Sequence, residues 1–370
     1  MGRGRRIIHQ SLLVVLVLSV ILVFLYLPMV LQRLQTDDRT LHVYMFADFI
    51  APSAFRKFEK ATGVRVNVQY YDTNEELYAK LKMTGGRGYD VINPSDYMVE
   101  FLKKDGLLRK IDYTQIPNAS FVDERLLHHY FDVYNEYSIP MSWCVYGILY
   151  DANILVDPEQ VLTLDVMFKS PHELLRQGLV KSLYKVCMFD EPRDATIIAA
   201  LYLFGKIHNI SNEQLLKVEQ LLIEQRSWIE AYTNFGLRYF FEGNIAAFAT
   251  TISRYARHVL AVDGNRFKFK VPQEGGFMVI ENFAIPVAST KAHLAVQFIN
   301  FMISEKMGVE HFIQCGGNPV HKQAIADLKE RQFPHLQSFL CEDQFGSLAL
   351  MHNEIPVGKT SDIWLRVKTA

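Results

Sequence analysis

The amino-acid sequence predicts an α/β protein in two lobes, preceded by one membrane-spanning helix. Three observations carry that expectation. From residue 41 onward, short β-type runs alternate with helical ones; the middle of the chain, about 145–266, turns more helical before strand signals return; and residues 12–31 form twenty positions without a charge. A length of 370 residues suits two domains, and 49% apolar with 12% aromatic side chains supplies ample core material. The 39 basic and 40 acidic side chains leave a net charge of −1, which excludes both the basic excess of a nucleic-acid binder and the imbalance of a disordered tail.

The uncharged run at 12–31 is broken only by Ser19, Tyr26 and Pro28 and is long enough for a bilayer core. Arg3, Arg5 and Arg6 precede it and Asp37 and Asp38 follow, which sets an N-in orientation with everything downstream exported. The end of the run offers no small-x-small cleavage site and no cysteine for a lipid, so residues 1–40 are expected to be an uncleaved anchor rather than a removed signal. Residues 41–46 then read as a strand, followed by a helix from about Ser53 that carries Phe55 and Phe58 and stops at Gly63. Residues 64–70 are a second strand. Asn74 is a suitable cap for a helix over 75–83, with two first-turn acids that suit the helix dipole and Gly85-Gly86 to end it. Residues 90–92 return as a strand, and Ser95 is expected to cap a helix running to Lys104. This β-α-β-α-β-α series describes an open parallel sheet, whose ligands gather beyond the carboxyl ends of the strands.

In the middle, 195–207 is apolar almost all round and should be buried, while 212–224 is amphipathic. Strand signals return at 267–271 and 277–285, followed by an amphipathic helix over 290–303 like those of the first half. The chain is therefore expected to cross back: 41–144 plus 283–370 form the first lobe and 145–282 the second, with crossings near 142–146 and 282–285. No repeat or low-complexity tract intervenes.

Catalytic signatures are missing. Gly358-Lys359-Thr360 is not a phosphate-binding loop, because Asn353 stands where the glycine five positions before Gly358 is required. There is no G-x-S-x-G elbow, no H-E-x-x-H, no dinucleotide fingerprint and no basic stripe with interleaved aromatics. His128 and His129 are adjacent and would point apart on a helix or a strand, so they serve no common metal. Cys144, Cys187, Cys315 and Cys341 lack metal-finger spacing and read as buried thiols or one adventitious disulfide. No catalytic residue, metal, cofactor or nucleic-acid partner is expected, and the weight shifts to binding.

A series of short motifs points further: Val43-Tyr44-Met45-Phe46-Ala47-Asp48-Phe49, Asn74-Glu75-Glu76-Leu77-Tyr78-Ala79-Lys80-Leu81, Tyr89-Asp90-Val91-Ile92-Asn93-Pro94-Ser95-Asp96-Tyr97, Tyr137-Ser138-Ile139-Pro140 with Trp143, Glu242-Gly243, and Glu274-Gly275-Gly276 leading to Ala284-Ile285-Pro286. In order and spacing over 41–326 they resemble the bacterial spermidine/putrescine-binding proteins, the solute receptors of ABC polyamine importers. The resemblance implies a type II periplasmic-binding-protein fold with a hinge and no catalysed reaction. It implies a monomer that captures a polyamine outside the cytoplasmic membrane and delivers it to an ABC permease and its ATPase subunit.

A polyamine is a flexible polycation, with amine pKa values near about 10, joined by methylenes. Its site needs carboxylates for the ammonium ends and aromatic faces for the middle. The resemblance places Phe46, Asp48 and Phe49 at the first strand's exit, where the family usually has Trp, Glu and Tyr. Ser95, Asp96 and Tyr97 follow the third strand, with Asp96 replacing a Thr. Glu191 and Asp194 match an acidic pair that meets one amine, and Glu281 an Asp that meets the other. Thr251, also assigned to the site, stands where the family has a Trp; Val279 replaces a second Trp and Gly316 a Tyr. Each lost wall forfeits about 1 kcal/mol or more of contact and cation–π energy. A receptor for a different small cationic solute is thus the first alternative, and an anchored sensory ectodomain uncoupled from transport the second. Residue by residue, Glu191 and Asp194 would equally cap the following helix, and Asp96 would equally strengthen the start of its own.

Overall fold

A computed structural model describes Tyr26 and residues 39–370, except 48, 158, 234–235, 341–344, 347 and 352–354. The expected membrane helix and the site candidate Asp48 lie outside the described residues. Among the described residues no helix is long and apolar enough to cross a membrane.

Among the described residues eleven strands make up the sheet: β1 (Thr40–Phe46), β2 (Arg65–Tyr71), β3 (Val91–Ile92), β4 (Ser138–Asp151), β5 (Val186–Met188), β6 (Ile229–Tyr232), β7 (Phe248–Ile252), β8 (Phe267–Lys270), β9 (Phe277–Ala284), β10 (Asn318–Pro319) and β11 (Ala349–Leu350). The main order is β2-β1-β3-β9-β4-β7-β5-β6. β1 lies parallel between β2 and β3, with Val43 opposite both Val68 and Val91. The helix Pro52–Thr62 starts on a proline, where no amide is needed, and stops at Gly63, whose φ of 68° lets its N–H reach Glu59 O. It buries Ala54, Phe55 and Phe58. The next helix, Asn74–Thr84, is capped by Thr73 rather than by Asn74: the Thr73 hydroxyl accepts from Glu76 N at 3.1 Å. Asn74 is already helical, and its amide turns inward.

β4 joins the halves. Its first part pairs antiparallel with β9, from Ser138 opposite Ala284 to Val145 opposite Met278, and the register slips between Pro140 and Ser142, where proline has no N–H for the ladder. From Tyr146 onward β4 changes partners, to β7 and β8. The helix Pro192–Phe204 begins three residues before the expected 195, because Pro192 opens it, and Gly205 at φ 62° closes it early. The C-terminal helix Val357–Thr369, within the stretch 283–370 expected in the first lobe, packs on helices of the middle segment. Its stripe of Ile363, Trp364 and Val367 is buried in the core of the helices Pro192–Phe204 and Asn212–Gln225. Trp364 Nε1 donates to Asp190 at 2.9 Å, and Arg366 reaches Glu219 at 2.5 Å and 2.8 Å. Cys144 and Cys187 are buried free thiols, Cys315 is buried, and Cys341 is outside the described residues.

Candidate functional site

The carboxyl end of β3 runs directly into Asn93-Pro94-Ser95-Asp96 and the helix Asp96–Lys104. Ser95 occupies the helix-cap position but makes no side-chain cap bond. Its hydroxyl is within hydrogen-bond reach of both carboxylate oxygens of Glu281, at 3.0 Å and 2.9 Å. Asn74 fixes Ser95 from behind, donating from Nδ2 to the hydroxyl at 3.0 Å and accepting from Ser95 N at 3.2 Å. Asp96 takes over at the helix start: Oδ1 accepts from Tyr97 N at 2.6 Å while Oδ2 accepts from Ile280 N, on β9, at 3.1 Å. The expected alternative for Asp96 therefore holds in part, because one oxygen serves the helix and the other ties it to the central strand.

Glu281 lies on β9 opposite Ser142. Burial pushes its carboxyl up to about 8; the Ser95 hydroxyl, Arg254 and Arg193 pull down, and Asp96 adds to the rise. Burial also lifts Asp96 to about 6, against its two backbone N–H bonds and Arg193.

From the other half, β5 leads to Glu191 and Asp194 at the start of the helix Pro192–Phe204. Glu191 makes no side-chain cap bond to that helix. Its carboxyl is pushed up to about 8 by burial, then by Asp194 and Glu75. Asp194, 3% exposed, accepts from the Tyr146 hydroxyl and from Arg193 Nε at 3.2 Å. The Arg193 guanidinium then crosses to the first half and lies 3.7 Å over the Tyr97 ring, whose hydroxyl donates to Glu75 at 3.1 Å.

Ser95, Asp96, Tyr97, Glu281, Glu191 and Asp194 therefore converge from both halves of the sheet. Phe46 packs on Tyr71 with ring centres 4.5 Å apart, and Phe49 is buried between the Arg254 guanidinium at 4.8 Å and the His311 ring at 5.4 Å. Thr251 is fully buried on β7 opposite Gly147, with its hydroxyl unpartnered. Val279 is buried as well. Gly316 sits at φ 85°, and a Cβ there would come within 2.8 Å of Arg254 O, so no side chain fits at that position.

Arg193, Arg254, Tyr146, Asn74 and His311 escaped the sequence reading. Arg193 was adjacent to the predicted Asp194, and Asn74 was read only as a cap. Nothing in the sequence marked Arg254 or His311, since each becomes part of the site through a helix that packs in from elsewhere.

Comparison with known proteins agrees with this architecture. The profile of the family described as bacterial extracellular solute-binding protein matches residues 53–332. The putrescine-binding periplasmic protein SpuD of Pseudomonas aeruginosa (strain UCBPP-PA14) is 29% identical over 292 residues, covering 74% of this chain and 76% of its own length. The spermidine/putrescine-binding periplasmic protein of Escherichia coli (strain K12) is 29% identical over 278 residues, 72% of this chain and 73% of its own. Among solved structures, the spermidine/putrescine ABC transporter substrate-binding protein PotD from Streptococcus pneumoniae superposes with a TM-score of 0.73 at 25% identity, covering 90% of this chain and 99% of that one. The first two relatives are named as periplasmic polyamine-binding proteins and the third as the substrate-binding protein of an ABC transporter. With three quarters of its length matched and an α/β sheet shared between two halves, the chain belongs to the bacterial extracellular solute-binding protein family.

Proposed function

We propose that this protein captures a polyamine outside the cytoplasmic membrane, closes on it, and presents it to the permease and ATPase of an ABC importer. The observation that carries the reading is the convergence of four acids where the two halves meet, Asp96 and Glu281 from one side and Glu191 and Asp194 from the other, linked by the Arg193 guanidinium that pairs with Asp194 and lies over Tyr97. A buried ammonium needs such carboxylates to offset its lost hydration, and Phe46, Phe49 and Tyr97 are the aromatic members of the assigned set. Ser95 orients Glu281, and Asp48 and Thr251 complete the assigned set.

In this reading the first lobe is 41–144 plus the return after 283, the second is 145–282 with the C-terminal helix added, and β4 with β9 forms the hinge. Closure brings the two acid pairs onto one ligand, and the closed shape is what the permease reads. The protein acts as a monomer, held by a membrane helix within residues 1–40. Support comes from the names of the relatives, which are polyamine-binding proteins.

Calorimetric titration of the full chain with putrescine, spermidine and spermine, after unfolding and refolding to strip carried-over ligand, tests the reading. A dissociation constant near or below roughly 1 μM, about −8 kcal/mol, is expected for at least one of them. The absence of heat and of any thermal shift with all three would sink it. A second reading, a receptor for a different small cation, is favoured by one observation: the aromatic walls of the resembled family are replaced here by Thr251, Val279 and Gly316.

A further inference from the structure

Asn74 stands behind the Ser95–Glu281 pair, and its amide decides which way that pair is polarised. It opens the helix Asn74–Thr84, is 6% exposed, and meets Ser95, itself 3% exposed, with both ends of its side chain. Oδ1 lies 3.2 Å from Ser95 N and Nδ2 lies 3.0 Å from Ser95 Oγ. A backbone N–H only donates, so the amide end that faces it is the oxygen, and the end that faces the hydroxyl is the nitrogen. The amide nitrogen also only donates, so Ser95 Oγ accepts from it. The hydroxyl proton is left to point onward. Among the described residues the acceptors within its reach are the two oxygens of Glu281, at 3.0 Å and 2.9 Å.

That direction bears on charge, because a neighbour that donates favours a carboxylate over a carboxylic acid. Glu281 faces Asp96 from the helix Asp96–Lys104, Arg193 from the helix Pro192–Phe204, Arg254 and Tyr255 from the helix Ser253–Leu260, Tyr71 from β2 and Cys144 from β4. Burial raises its carboxyl and Asp96 adds to the rise, while the Ser95 hydroxyl pulls it down ahead of Arg254 and Arg193. An aspartate at position 74 would accept from Ser95 N equally well, but it would also accept the hydroxyl proton and draw it away from Glu281. The arrangement therefore uses the nitrogen of Asn74 as well as its oxygen.

We infer that Asn74 is a positioning residue for cation capture: by fixing Ser95 as a donor to Glu281, it holds that carboxylate ready for a ligand ammonium. The inference rests on the amine-receptor reading above and deepens it by one residue, placed behind the site on a different helix from any of its acids.

Two measurements separate this role from plain fastening. The first needs no ligand: the titration midpoint of Glu281 in the full chain, followed by the carboxyl carbon resonance of glutamate-labelled protein, with Glu281→Gln identifying the peak. Asn74→Ala and Ser95→Ala should each raise the midpoint by about one unit or more, and the double variant should raise it no further than Ser95→Ala alone. Asn74→Asp keeps the side-chain size and the bond from Ser95 N but cannot donate; it should raise the midpoint too, and it decides the matter if the alanine variant misfolds. A midpoint unmoved by the substitution at Asn74, or shifts that add in the double variant, overturns the inference. The second measurement is calorimetric titration with putrescine. For a midpoint raised by one unit, Asn74→Ala should weaken binding about tenfold at pH 7 and only about twofold at pH 9. Equal weakening at both pH values is what fastening alone would produce, and it overturns the inference. Failure of the wild-type chain to bind putrescine, spermidine or spermine removes the receptor reading instead, while the Glu281 midpoints still decide whether Asn74 acts through Ser95.

Discussion

Amine capture in this cleft should release protons. Glu281 and Glu191 each have a carboxyl pushed up to about 8. Around Glu281 stand Ser95, Asp96, Arg193, Arg254, Tyr71 and Cys144; around Glu191 stand Asp194, Glu75, Arg193 and Asp190. At pH 7 about nine in ten of each carboxyl carry a proton, and ionising one to hold an ammonium costs about 1.4 kcal/mol. Affinity for putrescine should therefore rise about tenfold per pH unit between pH 6 and 7 if one of the two must ionise, and up to about a hundredfold if both must. The assay is calorimetry at pH 7 in phosphate and in Tris, whose ionisation enthalpies differ. Apparent binding enthalpy should differ between the buffers in proportion to the one to two protons released. Equal enthalpies in both, with flat affinity from pH 6 to 7, would refute the reasoning. The sign for the ligand-free fold is the opposite: the folded chain keeps protons that the unfolded chain has shed, so these carboxyls cost stability as pH rises from the usual carboxylate range toward 8. Glu281→Gln should flatten that fall in melting temperature.

Other consequences are independent of the ligand. Asp194→Asn takes away the buried charge that pairs with the partly buried Arg193 and should cost about 2 kcal/mol or more, read as a lower urea midpoint; an unchanged midpoint would mean the pair is not structural. Gly316→Ala forces a left-handed backbone on alanine and a Cβ against Arg254 O, so about 1–3 kcal/mol should be lost in the same measurement. Trp364→Ala empties a buried site and removes the Asp190 bond, and the expected loss is about 3–5 kcal/mol by thermal unfolding; a shift under 1 °C would show that the C-terminal helix is not part of the second half's core.

The first six elements were legible because each carries local punctuation, such as Gly63 after the first helix and Gly85 after the second. Residue-level roles read from the same punctuation were less secure. Ser95 looks like a helix cap in the sequence, but its hydroxyl prefers Glu281, a partner 186 residues away that only the sheet brings close. The four acids were assigned from the family resemblance, with only Asp96 inside a quoted motif; Arg254 and His311 were not, because they sit on helices whose docking no local pattern encodes. The C-terminal helix shows the same limit, since its apolar stripe specifies that it packs but not against which half. Asn74, by contrast, could have been read as more than a cap, since its motif lies 21 residues before Ser95 in the same set of strand exits.

Ser95 and Glu281 are also joined through the backbone, by an isolated antiparallel bridge, and Asn282 N donates to Pro94 O at 2.9 Å. Both residues are thereby fastened to the same side of the place where β4 changes partners, whereas Arg193 meets Tyr97 only across it. Any rotation about that place parts the guanidinium from the ring and leaves the serine–glutamate pair intact. Under the proposed hinge motion, the serine–glutamate half keeps its geometry at every degree of opening, and the Arg193–Tyr97 contact belongs to the closed arrangement alone.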